Sequence, residues 1–209
     1  SNDYLGIKPR EIKYTQFQSS SRLVSGNDIS FSILEKKLSK HKSQEKTIIF
    51  PTGYMANIGT ISSIADKEST IFSDELNHAS IVEACKLSGA KIKIFKHNCM
   101  EDLETKIRKT NGKKLIVTEG IFSMDGDWSQ LDEMTELSEK YGIITILDDA
   151  HGDFVLGKDG KGTSNFFNVD KKIDLYISSL SKGLGSFGGY TSGKKDLIDF
   201  CINTSKTFI

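Results

Sequence analysis

The chain has 209 residues, enough for one substantial domain with a buried core and short of two, and its 28 lysines and arginines balance its 28 aspartates and glutamates, so no net field gathers nucleic acid or an anionic membrane. Cys85, Cys99 and Cys201 are widely spaced and form no Cys-x-x-Cys pair, which argues against a disulfide framework and a zinc knuckle and fits a reducing cytoplasm. No apolar run approaches the ~20 residues that span a bilayer, and no basic stretch leads into an apolar one at the start.

From Thr47 onward, short β-branched runs alternate with amphipathic stretches. In chain order the pattern predicts a strand at Thr47–Phe50, a helix at Tyr54–Ala65, a strand at Thr70–Ser73, a helix at Ala79–Ser88, a strand at Lys91–Phe95 and a helix at Met100–Lys109. A strand at Lys114–Thr118, a helix at Leu131–Tyr141, strands at Ile143–Leu147 and Ile173–Ser178, and a short strand at Tyr190–Ser192 follow. Parallel neighbours need crossovers, and right-handed crossovers put helices on the faces, so the fold class is α/β, a mostly parallel sheet with helices on both faces. Ligands in such sheets sit beyond the carboxyl ends of the strands. Polar and glycine-rich residues gather there: Pro51-Thr52-Gly53-Tyr54, Ser73-Asp74, Glu119-Gly120, Asp148-Asp149-Ala150-His151 and Ser179-Leu180-Ser181-Lys182. Both ends of the chain read as cut, because it opens on Ser1-Asn2-Asp3-Tyr4 without a methionine and closes on the apolar Thr207-Phe208-Ile209 with no helix stop. Only Pro9 and Pro51 punctuate it.

Taken singly, these residues have ordinary explanations. Asp148 reads as a capping carboxylate beside a hydrogen-bonded His151, or as half of a metal pair whose third ligand is not recognisable. Lys182 reads as a surface charge in a loop of small residues. Gly183-Leu184-Gly185-Ser186-Phe187-Gly188 satisfies the Gly-x-Gly-x-x-Gly string of a dinucleotide site, but Gly189-Tyr190-Thr191-Ser192-Gly193 follows where a helix should open, and no acidic residue stands ~20 positions on. Neither a Gly-x-Ser-x-Gly elbow nor a Walker A loop occurs. Taken together they supply an amine (Lys182), a carboxylate (Asp148) and a phosphate cradle at a helix start (Gly53-Tyr54), with hydroxyls on Ser123 and Ser179 to complete it. Those are the three parts that a pyridoxal 5'-phosphate site requires.

Six motifs carry a further likeness: Ser21-Arg22-Leu23-Val24-Ser25-Gly26, Pro51-Thr52-Gly53-Tyr54-Met55-Ala56-Asn57, Asp74-Glu75-Leu76-Asn77-His78-Ala79-Ser80, Glu119-Gly120-Ile121-Phe122-Ser123-Met124-Asp125-Gly126-Asp127, Asp148-Asp149-Ala150-His151-Gly152 and Ser179-Leu180-Ser181-Lys182. In that order, over essentially the whole chain, they resemble the α-oxoamine synthases, fold-type I pyridoxal phosphate enzymes that condense an amino acid with an acyl thioester and release carbon dioxide. The resemblance implies that residues 1–209 are the cofactor-binding large domain without its upstream segment and small C-terminal domain. It implies that Lys182 joins the cofactor, Asp148 pairs with the ring nitrogen, His151 bonds the ring oxygen and His78 stacks on the ring and orients substrate, which makes Lys182, His78 and Asp148 the catalytic set. Ser123 matches a cofactor-contacting serine, Gly53 and Tyr54 match the phosphate-side backbone, and Ser179 stands where the family usually has threonine. The expected partners are the two substrates and a second copy of the chain that shares the site, since family dimers lend the phosphate a threonine that would lie beyond Ile209; nucleic acid and membrane are not expected.

Within the family the Ser-Arg-Leu-Val-Ser-Gly and Gly-Ser-Phe-Gly-Gly wording looks most like the biotin-pathway member that takes L-alanine and a pimeloyl thioester. The alternatives are another acyl-thioester specificity, such as that of the glycine acetyltransferases, and a non-catalytic partner subunit of the same fold. Retention of Lys182, Asp148 and His151 together speaks against the partner subunit.

Overall fold

The computed structural model describes residues 4–5 and 20–209, so Ser1, Asn2, Asp3 and Pro9 lie outside the described residues. After Asp28, whose carboxylate caps it by accepting the Ser30 N–H at 2.8 Å, α1 (Ile29–Lys42) leads into an alternation of strands and helices. These are β1 (Lys46–Phe50), α2 (Gly53–Ile64), β2 (Ser69–Asp74), α3 (Ala79–Leu87), β3 (Lys91–Phe95), α4 (Met100–Arg108), β4 (Lys113–Glu119), α5 (Leu131–Tyr141) and β5 (Ile144–Asp148). A long loop holding the single-turn α6 (Thr163–Phe166) then reaches β6 (Leu175–Ser179), β7 (Gly189–Gly193) and α7 (Lys195–Thr204).

All seven strands form one sheet in the order β1-β7-β6-β5-β4-β2-β3. Neighbours from β6 to β3 pair in parallel, while β7 runs antiparallel to both β1 and β6. The pleat sorts the side chains. Phe50, Ile71, Val117, Ile146 and Ile177 pack one face against α2, α3 and α7 through Ile61, Ile81 and Ile198. On the other face Phe72, Ile116, Leu147 and Tyr176 meet Leu103 and Ile107 of α4 and Leu131 and Met134 of α5. Ile49 and Tyr190 continue that face under Leu38 of α1.

Every strand and helix expected from the pattern is present, the largest shift being at β6, which begins at Leu175 because Ile173 still closes the turn Asp170–Lys172. The pattern does not reveal α1 or α7. The reason at α1 is that Ile29 and Ile33 are exposed, at 70% and 50%, so the helix has no continuous apolar stripe, and its buried residues are Leu38 and a lysine, Lys42.

Lys42 anchors α1 to the loop after β5. Its Nζ donates to the Lys161 carbonyl at 2.6 Å and lies 3.3 Å from both Asp149 Oδ2 and Asp153 Oδ1. Burial works to neutralise this amine, and the charges of Asp153 and Asp149 override it and hold the ammonium form. Asp153 also bonds His41 Nε2 at 3.1 Å and accepts the Tyr190 hydroxyl. Removing one partner of such a cluster strands the others. Lys42→Met should therefore cost about 3–5 kcal/mol of stability in urea unfolding, and a loss below about 1 kcal/mol would contradict the assignment.

Candidate active site

The carboxyl ends of β1, β2, β4, β5 and β6 open on one rim. At β1, Thr52 caps α2 by accepting the Met55 N–H on Oγ1 at 3.0 Å, and the N–H groups of Gly53 and Tyr54 keep no intrahelical acceptor. They sit at the positive end of the helix dipole. α2 meets the sheet closely: a Cβ on Gly189, the first residue of β7, would stand 2.5 Å from Gly53 N and Cα, so only glycine lets the helix start seat there. Ser179, at the end of β6, lies beside Gly53, with its Oγ 2.8 Å from Ser181 Oγ.

Asp148 ends β5. Its Oδ1 accepts the Ala150 N–H at 3.0 Å and its Oδ2 accepts Asn57 Nδ2 of α2 at 2.6 Å. Asn57 also donates from Nδ2 to Ser80 Oγ at 3.0 Å, while its Oδ1 is buried without a partner among the described residues. Ser80 Oγ stands 2.7 Å from His78 Nδ1, to which the Ser80 N–H donates at 3.2 Å. The His78 N–H donates to Glu119 Oε1 at 2.6 Å. Glu119 ends β4, in register with Asp148 on β5. Burial, and then the charge of Asp148, push its carboxyl up to about 8.

Lys182 Nζ lies 2.8 Å from His151 Nε2, and His151 Nδ1 lies 2.6 Å from the Tyr4 hydroxyl. Burial lowers the lysine's proton affinity, against the opposing pull of Asp148 and Glu119. Burial and the Lys182 charge push His151 down to about 4, so its ring is neutral at pH 7. A half-buried amine thus faces an uncharged imidazole, and it is burial that favours its nucleophilic form.

A cavity of about 230 Å³ lies among these groups, lined by Gly53, Tyr54, Asn57, His78, Asp148, Ser179 and Lys182. The exposed rings of Tyr54 and His78 stand edge to face, 6.5 Å apart. Larger cavities of about 710 and 340 Å³ lie along α1 and around Phe208 and contain none of this set. Of the residues singled out from the sequence, Gly53, Tyr54, His78, Asp148, Ser179 and Lys182 share the cavity, and His151 joins it through Lys182. Ser123 does not: its side chain is exposed outside the lining, and only its backbone N–H turns inward, to Glu119. Asn57, Ser80, Glu119 and Tyr4 have no role assigned from sequence; Asn57, Ser80 and Glu119 stand inside the motifs, but their residue types give no sign of what they hold. Among the described residues no cluster could hold a metal ion, and no helix is long and apolar enough to cross a membrane.

The family model for aminotransferase class I and II matches residues 1–209. Among curated proteins the chain is similar to a putative 8-amino-7-oxononanoate synthase of Acetivibrio thermocellus, 46% identical over all of this chain and 57% of that one. Among solved structures it is similar to serine palmitoyltransferase of S. paucimobilis with a bound PLP–myriocin aldimine, at a TM-score of 0.89 and 30% identity over 92% of this chain and 49% of that one. It is also similar to 8-amino-7-oxononanoate synthase of Francisella tularensis, at a TM-score of 0.75 and 31% identity over 86% of this chain and 52% of that one. The chain thus spans just over half the length of the curated relatives it matches. With its α/β sheet, its strand-end site and a match over its whole length, the chain belongs to the aminotransferase class I and II family.

Proposed function

We propose that this chain is the pyridoxal-phosphate-binding large domain of an α-oxoamine synthase that joins L-alanine to a pimeloyl thioester with loss of carbon dioxide, giving 8-amino-7-oxononanoate, and that it works as a homodimer with a shared site. The observation that carries this reading is the meeting of an amine, an oriented carboxylate and a free helix start in one cavity. The similarity to 8-amino-7-oxononanoate synthases over the full chain supports the choice of reaction.

The donor set fits the cofactor. The N–H groups of Gly53 and Tyr54, with the Ser179 hydroxyl, would take its phosphate. Asp148, already oriented by Asn57 and Ala150, would face the ring nitrogen; His151 would bond the ring oxygen and His78 would cover the ring face. Lys182 would hold the cofactor through Nζ. When bound, pyridoxal phosphate supplies a protonated pyridine ring that draws electron density from the amino acid's α-carbon. Lys182 Nζ, with its lowered proton affinity, is the group to take the α-proton and later to return one. Neutral His151 orients that amine without competing for its proton.

A second reading, serine with a long-chain acyl thioester, is favoured by the higher TM-score to serine palmitoyltransferase, 0.89 against 0.75. Assay of the full-length protein with alanine, glycine and serine against pimeloyl and long-chain thioesters separates the two. The expected best pair is alanine with pimeloyl; preference for serine with a long chain would overturn the assignment. Lys182→Ala should abolish turnover, and Asp148→Asn should lower kcat by about 10²-fold or more, magnitudes typical of lost proton transfer and charge stabilisation.

Glu119 adds a pH dependence. Its folded value of about 8 stands above its ordinary 4.5, so across that window the folded chain keeps a proton that the unfolded chain has lost. Its contribution to stability is full at the acid end and is lost as pH rises through about 8. Glu119→Gln retains the acceptor for the His78 N–H and cannot ionise. The variant should match the wild type in thermal unfolding at about pH 5 and exceed it by about 2–4 kcal/mol at about pH 8.5, since each tenfold difference in proton affinity between folded and unfolded chains is worth ~1.4 kcal/mol. A constant difference across that range would refute the raised value.

A further inference from the structure

A run of hydrogen bonds ties the residue proposed to face the ring nitrogen to the one proposed to cover the ring. Its polarity can be read from one end. Asp148 Oδ2 accepts, so the atom 2.6 Å away must be the Asn57 NH₂ group, which settles the direction of that side-chain amide. The same NH₂ group lies 3.0 Å from Ser80 Oγ, so Ser80 accepts there and keeps its hydroxyl hydrogen to give. The remaining neighbour at Oγ is His78 Nδ1, at 2.7 Å.

The backbone decides the last step. The Ser80 N–H points at the same His78 Nδ1 at 3.2 Å, and it can only donate. A hydrogen on Nδ1 would face it head on. Nδ1 is therefore the bare nitrogen, accepting from the Ser80 hydroxyl and N–H together, which leaves the ring hydrogen on Nε2, the nitrogen left for the cavity. Asn57 and Ser80 are both buried, at 2% and 1%, so water does not compete for these bonds. A second set of contacts holds the ring's base: the His78 N–H on Glu119 Oε1 and the Asn77 side chain on the Val117 carbonyl at 2.8 Å.

We propose that Asn57 and Ser80 are positioning residues that lock His78 in its Nε2–H form, so that it presents a hydrogen-bond donor to the cavity, suited to the carboxylate of a bound amino acid, in a state coupled to Asp148. This deepens the functional reading above and rests on it for the identity of the ligand; the tautomer itself rests on the geometry alone.

The test is long-range ¹H–¹⁵N correlation spectroscopy of ¹⁵N-histidine-labelled full-length protein, with and without pyridoxal phosphate. His78 is assigned by the signal lost in His78→Gln. The wild type is expected to show a protonated Nε2 and a bare Nδ1. Ser80→Ala leaves only the weaker backbone donor and should raise the minor tautomer about tenfold, while Ser80→Thr, which keeps the hydroxyl, should restore the wild-type pattern. In the loaded enzyme, Ser80→Ala should raise the KM for the amino acid about tenfold with a smaller effect on kcat, as expected for a donor to the substrate carboxylate. A hydrogen on Nδ1 in the wild type, or a Ser80→Ala spectrum identical to it, overturns the proposal. Because the tautomer is read whether or not cofactor binds, absence of pyridoxal phosphate binding would count against the functional reading and leave this result standing.

Discussion

The buried carboxylate of Asp149 holds the rim of this molecule in shape. It accepts the Thr163 N–H at 3.0 Å and the Thr163 hydroxyl at 2.5 Å and pairs with Lys42, so it ties the loop after β5 to α6 on one side and to α1 on the other. The chain is cut to fit around it. A Cβ on Gly162 would stand 1.8 Å from Asp149 Oδ2, and one on Gly152 would stand 2.4 Å from Oδ1. One lysine serves two acids here, and burial pushes Asp149 up to about 6 while Asp153, with His41, Tyr190 and Lys42 around it, is held low. The adjacent residues Asp148 and Ala150 inherit their positions from this anchor.

That arrangement explains how two neighbouring aspartates take opposite tasks. Asp149 turns into protein and is consumed by structure; Asp148 turns to the cavity with both oxygens already engaged by Asn57 and Ala150. Across the rim the same logic separates Asp148 from Glu119. The two stand in register on adjacent strands, and Glu119, buried and beside a like charge, keeps its proton up to about pH 8. Lys182 and His151 form a third pair in which burial drives both groups toward their neutral forms. The site is thus a small, partly buried region in which Asp148, Glu119, His151 and Lys182 perturb one another, facing the positive end of α2.

Much of this is legible in the sequence. Strand ends such as Ile146-Leu147-Asp148 and Ser178-Ser179 advertise themselves, because an apolar run breaking into a polar residue marks the tip of a buried parallel strand. The Gly183–Gly188 string is also rightly set aside, since β7 follows it in place of a helix. What stays hidden is support that has no periodic signature. Lys42 looks like one more charge on a basic helix, and nothing local says that it is buried against acids over 100 residues away. Asn57 and Ser80 matter only because α2 and α3 cross near the end of β5, a relation set by topology. Ser123 runs the other way: its motif match implies a cofactor contact, and the structure exposes the residue outside the cavity lining.

Everything proposed for function passes through the amine of Lys182. Borohydride reduction of the full-length protein after incubation with pyridoxal phosphate, followed by peptide mapping, tests it most directly. The expected result is a single phosphopyridoxyl group on the peptide carrying Ser179-Leu180-Ser181-Lys182. Label on another lysine, or no label at all, would contradict the assignment.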